Sequence, residues 1–217
     1  MQAFLNRLHP EHFLQEAIVN AHQLDSDMWS RLASRRGALD ILPCDATGSV
    51  TAEYGRTSQL LAYFRRTYDL TIIDLPGPLD TLSIDAMGEA KRVYLTCTQE
   101  LASVHLALRK AERLRAAGLG KEIRVLLNRV ANGHVMTAER VSDLIGLPVE
   151  LSIPNSYALA NASAESGSHV DPSTPLGRSY AHLTKLLLNE PSERFRKPNK
   201  FLNFFAQPFA KQPVLTA

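Results

Sequence analysis

The sequence is short of cysteine, of net charge and of long apolar runs. Its 217 residues contain two cysteines, Cys44 and Cys97, which are too few for a disulfide framework or a cysteine-based zinc site and favour a reducing compartment. The formal net charge of +2 gives no reason by itself to expect nucleic acid as a partner. No apolar stretch approaches the roughly 20 residues that span a bilayer, and the first residues lack the apolar region of a signal peptide. Together these features predict a cytosolic protein.

The sequence also lacks a phosphate-binding loop of the form G-x-x-x-x-G-K-[ST], whose backbone N–H groups and lysine hold the phosphates of a nucleotide. The single Gly-Lys pair, Gly120-Lys121, is followed by Glu122. Arg115 stands where the motif needs its first glycine, and the pair precedes a predicted strand, whereas the motif follows one. We therefore expect no such loop in these 217 residues.

Apolar residues, at 45% of the chain, are sufficient for the core of one large domain. Short apolar runs predict strands at residues 39–43, 70–75, 92–96, 123–127 and, more weakly, 148–153. Helical spacing is found at residues 11–21, after Asp25, and at residues 55–68, 80–90, 102–117, 137–145 and 175–189. Strands that alternate with helices and are apolar on both faces predict an α/β fold with a doubly wound, mostly parallel sheet.

The composition changes after Pro191. Residues 191–217 contain five of the eight phenylalanines and a cluster of lysine and arginine, so the chain divides into an α/β domain, residues 1–190, and a basic, Phe-rich tail. Aromatic side chains with basic neighbours are typical of interfacial helices, and residues 194–211 are therefore a candidate for contact with a membrane surface or a partner. Elsewhere the basic residues are scattered, and a solvated helix edge is a better interpretation of them than a DNA-binding surface.

Asp74 is the strongest candidate for chemistry. It lies near the end of the apolar run at residues 70–75 and is followed by Pro76 and Gly77. Parallel α/β sheets bind ligands beyond the carboxyl ends of their strands, where an aspartate can orient a hydrated Mg²⁺ beside nucleotide phosphates. The alternative is an aspartate that caps the next turn. We predict that Asp74 ends a strand within the sheet, on the same edge as Asn128 and Pro154.

Several segments resemble the MinD/ParA superfamily of ATPases (the SIMIBI class with a deviant Walker A motif), and most closely its CpaE/TadZ branch. They occur in the family's order and together cover about residues 24–189. The matching sequences are YDLTIIDLPG at residues 68–77, GALDILP at 37–43, VLLNR at 125–129, GLPV at 146–149 and IPN at 153–155.

The resemblance implies a role for each matched position. Asp74 would be the catalytic carboxylate and would bind Mg²⁺ through water, while Leu75, Pro76 and Gly77 would sense the γ-phosphate of ATP. Asn128 would hydrogen-bond adenine, Arg129 would flank it, and Pro154 and Asn155 would line the base. ATP and Mg²⁺ are thus the cofactors that the resemblance implies.

The sequence departs from the family at its start. The family begins with a strand, a deviant phosphate loop, a helix and a second strand, and the first two strands lie inside the family's sheet. None of these four elements is found here, so we expect a sheet of the P-loop NTPase (MinD/ParA) type without its first strands. ATP binding should then be weak or absent, and the chain should be inactive as an ATPase on its own, although the family hydrolyses ATP.

Three functions remain open. The first is a CpaE/TadZ-like protein of Flp pilus assembly or of its localisation, cytoplasmic and placed at a cell pole or on the membrane. The second is a non-catalytic scaffold of a secretion or pilus apparatus, with proteins of that apparatus, or a second copy, as partners. The third is a ParA-type partition protein, which the scattered basic residues make the weakest of the three.

Overall fold

The computed structural model describes residues 10–44, 55–119, 123–133 and 135–188. Within these ranges the first half of the chain contains three helices, one 3-10 turn and a hairpin: α1 (Leu14–Val19), the turn Ala21–Gln23, α2 (Ser26–Leu32), β1 (Ser34–Arg36), β2 (Leu39–Ile41) and α3 (Arg56–Thr67). The second half alternates helices with strands: α4 (Thr81–Glu89), β3 (Val93–Cys97), α5 (Leu101–Ala116), β4 (Ile123–Val130), α6 (Ala138–Ile145), β5 (Val149–Pro154), α7 (Tyr157–Ser166) and α8 (Pro175–Leu188).

The three strands of the second half form a parallel sheet in the order β3-β4-β5. Leu95 lies opposite Val125, and Leu126 lies opposite Leu151. Helices connect the strands because parallel neighbours need a crossover that returns the chain to the same end of the sheet. The predicted α/β fold with a parallel sheet is confirmed.

The main core lies between this sheet and its helices. Ile123, Val125 and Leu127 of β4 are fully buried, as expected for the central strand of the sheet. They pack with apolar residues of α5 and α6, among them Val104, Ala111, Leu114, Val141 and Ile145. This core fixes the positions of the strand ends where the candidate site lies.

A second core lies in the first half of the chain, where α1, α2 and α3 pack together. Trp29 is its centre, with the rings of Phe64, Tyr63 and Tyr68 around it at centroid distances of 5.0–6.1 Å. Asp25 caps α2, as predicted, by accepting a hydrogen bond from the Met28 N–H at 2.7 Å. The first predicted helix is shorter than expected and continues as the 3-10 turn.

The strand predicted at residues 39–43 exists, but its sheet differs from the expected one. Leu39–Ile41 pairs antiparallel with Ser34–Arg36 in a separate two-stranded sheet. Gly37, at a φ of 62°, makes the tight turn between the two strands. A hairpin partner only two residues away therefore takes the place of a parallel neighbour.

The largest correction concerns residues 70–75. These residues are in neither a helix nor a strand, so the prediction that Asp74 ends a strand within the sheet is wrong for this structure. A β-strand exists only when a neighbour completes its hydrogen-bond ladder. Among the described residues no strand pairs with this segment, since the two sheets consist of β1-β2 and β3-β4-β5. The sequence has a high β-propensity, but the part of the chain that the structure describes supplies no partner strand.

A polar network joins the hairpin to the aromatic core. The Asp40 carboxylate accepts hydrogen bonds from Arg35 at 2.7 and 3.0 Å and from the Tyr68 hydroxyl at 2.6 Å. The Tyr68 hydroxyl in turn accepts a hydrogen bond from Trp29 Nε1. The Asp40 side chain is only 6% exposed. The Arg35 guanidinium and then the two aromatic donors hold the pKa of Asp40 below its ordinary value, against the opposing effect of burial.

We predict that Asp40→Asn lowers the free energy of unfolding at pH 7 by about 1–3 kcal/mol, because a charge-assisted network loses its acceptor charge. A carboxylate with a lowered pKa in the folded state stabilises the protein above its unfolded pKa, about 4, and loses this contribution as the pH falls further. The difference between variant and wild type should therefore shrink below about pH 4. Urea unfolding at several pH values measures this difference in the free energy of unfolding. Asp143→Asn, at an exposed position of α6, is the control, and an equal loss in both variants would contradict the prediction.

Candidate functional site

A shallow cavity of about 310 Å³ lies at the carboxyl ends of the three parallel strands. Its walls come from the residues that follow β3, from the end of β4, and from the residues that follow β5. The strands converge there because Val130 is in register with Pro154, and the Asn155 N–H donates a hydrogen bond to the Val130 carbonyl at 2.9 Å. The lining residues are Gln99, Glu100, Arg129, Ala131, Asn155 and Tyr157.

Arg129 has an unusual backbone conformation at this edge. Its φ of 55° lies in the left-handed region, which residues other than glycine seldom adopt. The Asn128 side chain supports this conformation, because its Oδ1 accepts a hydrogen bond from the Arg129 N–H at 2.9 Å. The ladder between β4 and β5 is also irregular between Leu127 and Val130. This local distortion turns the exposed Arg129 side chain into the wall of the cavity.

Gln99 fixes the loop beside Arg129 and is a residue that the sequence interpretation missed. Its side chain is buried. The Gln99 Oε1 accepts a hydrogen bond from the Ala131 N–H, and the Nε2 donates one to the Met136 carbonyl, both at 2.8 Å. The end of β3 is thereby joined to the segment that follows β4. A signal was available in the sequence, since the polar residues Thr98 and Gln99 follow β3 much as Asn128 follows the apolar residues of β4.

The cavity offers a mixed set of groups. Arg129 supplies a planar cation, Asn155 an amide, Glu100 a carboxylate and Tyr157 an exposed aromatic ring that begins α7. A guanidinium and an aromatic ring both stack on flat heterocycles, while an amide both donates and accepts hydrogen bonds. These groups fit a planar, polar ring of the size of a nucleobase.

The predicted base-side residues do lie together. Arg129 and Asn155 line the cavity, and Asn128 and Pro154 lie next to them in the chain. Asn128 uses Oδ1 for the backbone of Arg129, so in this structure it supports the loop through that atom. The roles that the resemblance implies for these four residues stay predictions.

The predicted phosphate-side residues are not among those that line this cavity. Asp74, Pro76 and Gly77 are exposed, whereas Leu75 is half-buried and packs against both cores. A Cβ placed on Gly77 would lie 3.9 Å from the Lys110 Nζ, so this segment passes close to α5.

A magnesium site would need several oxygen ligands in a nearly octahedral arrangement. In the ranges that the structure describes, no group of three or more histidine, cysteine, aspartate or glutamate side chains could hold a metal ion. The exposed Asp74 carboxylate alone does not make such a site. Binding of Mg²⁺ by Asp74 through water stays a prediction from resemblance.

The tail, residues 191–217, lies outside the described residues, and so does its predicted contact with a membrane through residues 194–211. Among the helices that are described, none has the length and apolar character needed to cross a bilayer.

No protein-family model matches the chain. The chain is 29% identical over 94 residues to a septum site-determining MinD protein of Mesostigma viride, a match that covers 41% of this chain and 32% of the relative. It is 32% identical over 92 residues to the MinD protein of Guillardia theta, covering 40% of this chain and 34% of that protein. The chain thus spans about a third of the length of these curated relatives.

Solved structures match over much more of the chain. A ParA family ATPase of Chlorobium tepidum superposes with a TM-score of 0.76 at 21% identity, covering 83% of this chain and 78% of its own. MinD of Pyrococcus horikoshii, solved with Mg-ADP, superposes with a TM-score of 0.68 at 17% identity, covering 86% of this chain and 78% of its own. MinD of Aquifex aeolicus, solved in complex with MinC, superposes with a TM-score of 0.72 at 15% identity, covering 88% of this chain and 79% of its own.

The fold is therefore the α/β fold of the MinD/ParA type of P-loop NTPase. The matches to MinD sequences, added to this fold, support a relationship to the MinD/ParA-like ATPase superfamily.

Proposed function

We propose that this chain is a CpaE/TadZ-like protein of pilus assembly or localisation that binds the base of an adenine nucleotide and does not hydrolyse it. One observation carries the nucleotide part: Arg129 and Asn155, two residues singled out from the sequence, line one cavity at the carboxyl ends of β4 and β5. The resemblance at residues 68–77 supports the CpaE/TadZ branch.

In this proposal the base lies between the Arg129 guanidinium and the Tyr157 ring. Asn155 supplies an amide that can donate to a ring nitrogen and accept from an amino group. Gln99 does not need to touch the ligand, because its side chain is occupied in holding the loop around Ala131 and Met136. Its role is to position Arg129 and the cavity wall.

The phosphates would project away from this cavity with little to hold them. The sequence has no G-x-x-x-x-G-K-[ST] loop, and Asp74 is exposed and belongs to no cluster of potential metal ligands among the described residues. Binding would then depend on the base and hardly at all on the number of phosphates. The Mg-ADP of the P. horikoshii MinD structure shows what that relative holds, and the proposal carries over only the base.

A partner role completes the proposal. MinD of A. aeolicus was solved as a complex with MinC. We propose that this chain likewise acts through partner proteins, here those of a pilus or secretion apparatus, and through a second copy of itself. Contact with a membrane surface would use residues 194–211.

A non-catalytic scaffold is the second candidate, and one observation favours it. Ile72 and Ile73 are exposed within residues 70–75, which pair with no strand among the described residues. Exposed apolar side chains that lie together are typical of a surface that binds another polypeptide. A scaffold would keep this surface and would not need the base cavity, so nucleotide titration separates the two candidates.

We predict that adenosine and ATP bind the purified chain with dissociation constants within about tenfold of each other, since the base provides the contacts. Arg129→Ala should weaken both by about tenfold, the effect of losing one stacked cation. Isothermal titration calorimetry with adenosine, adenosine diphosphate and ATP measures this.

Arg109→Ala is the matched control, because Arg109 is exposed on α5 and pairs with Glu112 on the same helix. Thermal unfolding of both variants checks that the fold is kept. The nucleotide proposal would be contradicted if adenosine did not bind at millimolar concentration, or if Arg129→Ala bound it as tightly as the wild type. The non-catalytic scaffold would then be the remaining candidate.

A further inference from the structure

Glu100 lines the base cavity but takes no part in the contacts proposed above. It directly precedes Leu101, the first residue of α5, and its side chain makes no capping hydrogen bond to that helix. The residue is exposed, and its carboxylate has no hydrogen-bond or ion-pair partner among the residues that the structure describes. The carboxylate is therefore available to a ligand that enters the cavity.

The chain on both sides of Glu100 is anchored. The side chain of the preceding Gln99 is buried and held by hydrogen bonds at both of its polar atoms. The Thr98 N–H donates a hydrogen bond to the Ser103 hydroxyl at 3.0 Å, which ties the end of β3 to the first turn of α5. A group whose backbone is already fixed loses less conformational entropy when it binds a ligand.

Glu100 and Arg129 bring opposite charges to the same cavity. No ion pair joins the two side chains, although both belong to the described part of the chain. Glu100 also lies at the amino-terminal end of the 16-residue helix α5, where the helix dipole favours a negative charge. The cavity thus offers a ligand both a cation and an anion, and neither charge is taken up by the other.

The two charges differ in what they can recognise on a purine. A guanidinium stacks on any flat ring, so Arg129 provides affinity with little selectivity. A carboxylate only accepts hydrogen bonds, and it is a recognised partner of exocyclic amino groups on bases. The amino group of adenine has two N–H donors, so Asn155 can accept from one of them while Glu100 accepts from the other.

We propose that Glu100 is a specificity-determining residue of the base cavity, a role that rests on the proposed binding of adenine. Its carboxylate accepts a hydrogen bond from the exocyclic amino group and so selects an aminopurine over a purine without that group. A site built to hydrogen-bond an N–H rejects the analogue that lacks it, because the acceptor is left without its partner. Water can reach the exposed carboxylate, so the discrimination is about tenfold, near the low end for a charged acceptor.

Isothermal titration calorimetry of the full chain with adenosine and with purine riboside tests this role. Purine riboside carries a hydrogen atom in place of the 6-amino group. The wild type should bind adenosine about tenfold more tightly than purine riboside, and Glu100→Ala should remove most of this difference by weakening adenosine alone. Glu100→Gln keeps a neutral acceptor of nearly the same shape, and its preference for adenosine should lie between the two. Glu112→Ala is the matched control, since Glu112 is an exposed glutamate of the same helix that pairs with Arg109.

The ratio of the two affinities separates recognition from a structural effect of the substitution. Equal affinity of the wild type for both ligands would overturn the proposal, and so would a loss in Glu100→Ala that adenosine and purine riboside share equally. In both cases adenosine still binds, so the proposed function stands, whereas failure of adenosine to bind the wild type overturns both. Guanosine is the third ligand. Tighter binding of guanosine than of adenosine, abolished in Glu100→Ala, would also overturn the proposal by showing that the carboxylate recognises the N1–H and 2-amino group of guanine.

Discussion

Purified chain incubated with Mg·ATP should release no phosphate above the rate of the buffer. Phosphoryl transfer depends on positioning and on charge stabilisation around the γ-phosphate, and these tasks belong to loop N–H groups, a lysine and a bound metal. Losing a single preorganised donor typically costs roughly 10²–10³ in rate. The sequence has no G-x-x-x-x-G-K-[ST] loop, so the loss should be complete.

Asp74→Ala provides the control for this assay. If the chain is inactive, wild type and variant give the same background. Turnover in the wild type that Asp74→Ala abolishes would contradict the prediction and would show that residues 74–77 work with a phosphate site that the sequence motif does not reveal.

Glu150→Ala should lower the free energy of unfolding by about 3 kcal/mol, the cost of removing one partner from a largely buried ion pair. Glu150 Oε1 accepts from Arg92 Nη1 at 3.1 Å, and both side chains are only 17% exposed. Arg92 directly precedes β3 and Glu150 lies in β5, so the pair spans the sheet across β4. Urea unfolding measures the change.

The exposed pair of Arg109 and Glu112 gives the comparison. Their N–O distance is also 3.1 Å, but both residues lie on the surface of α5. Glu112→Ala should lower the free energy of unfolding by less than about 1 kcal/mol, because surface ion pairs contribute little to stability. The double change Arg92→Met with Glu150→Leu should recover most of the stability, since well-packed apolar residues can replace a buried pair. Equal losses in the two single variants would contradict this account.

The second half of the fold was predictable because its signals are local and strong. Apolar runs identified β3, β4 and β5, and helical spacing identified the helices between them. Asp80 illustrates the local signals: as a cap of α4 it accepts a hydrogen bond from the Ser83 N–H at 2.7 Å, three residues away. The helix α7 was not predicted.

The candidate site was predictable only in part. Arg129 and Asn155 follow strands that the sequence reveals, and parallel strands bring their carboxyl ends together. Gln99 was missed because its role depends on hydrogen bonds to the backbone of Ala131 and Met136. Both partners are more than 30 residues away in the sequence. The left-handed backbone of Arg129 depends likewise on how β4 and β5 meet.

The sequence by itself determined the helix caps, the apolar strands and the order of elements, because each depends on residues within a turn or on the apolar side chains of one segment. The tertiary structure decided which segments pair. Residues 39–41 pair with Ser34–Arg36 in an antiparallel hairpin. Residues 70–75 have the stronger strand sequence, but they pair with no strand among the described residues. The physical reason is that apolar, β-branched residues favour extended backbone, but a strand forms only when a second segment supplies the other half of each hydrogen bond.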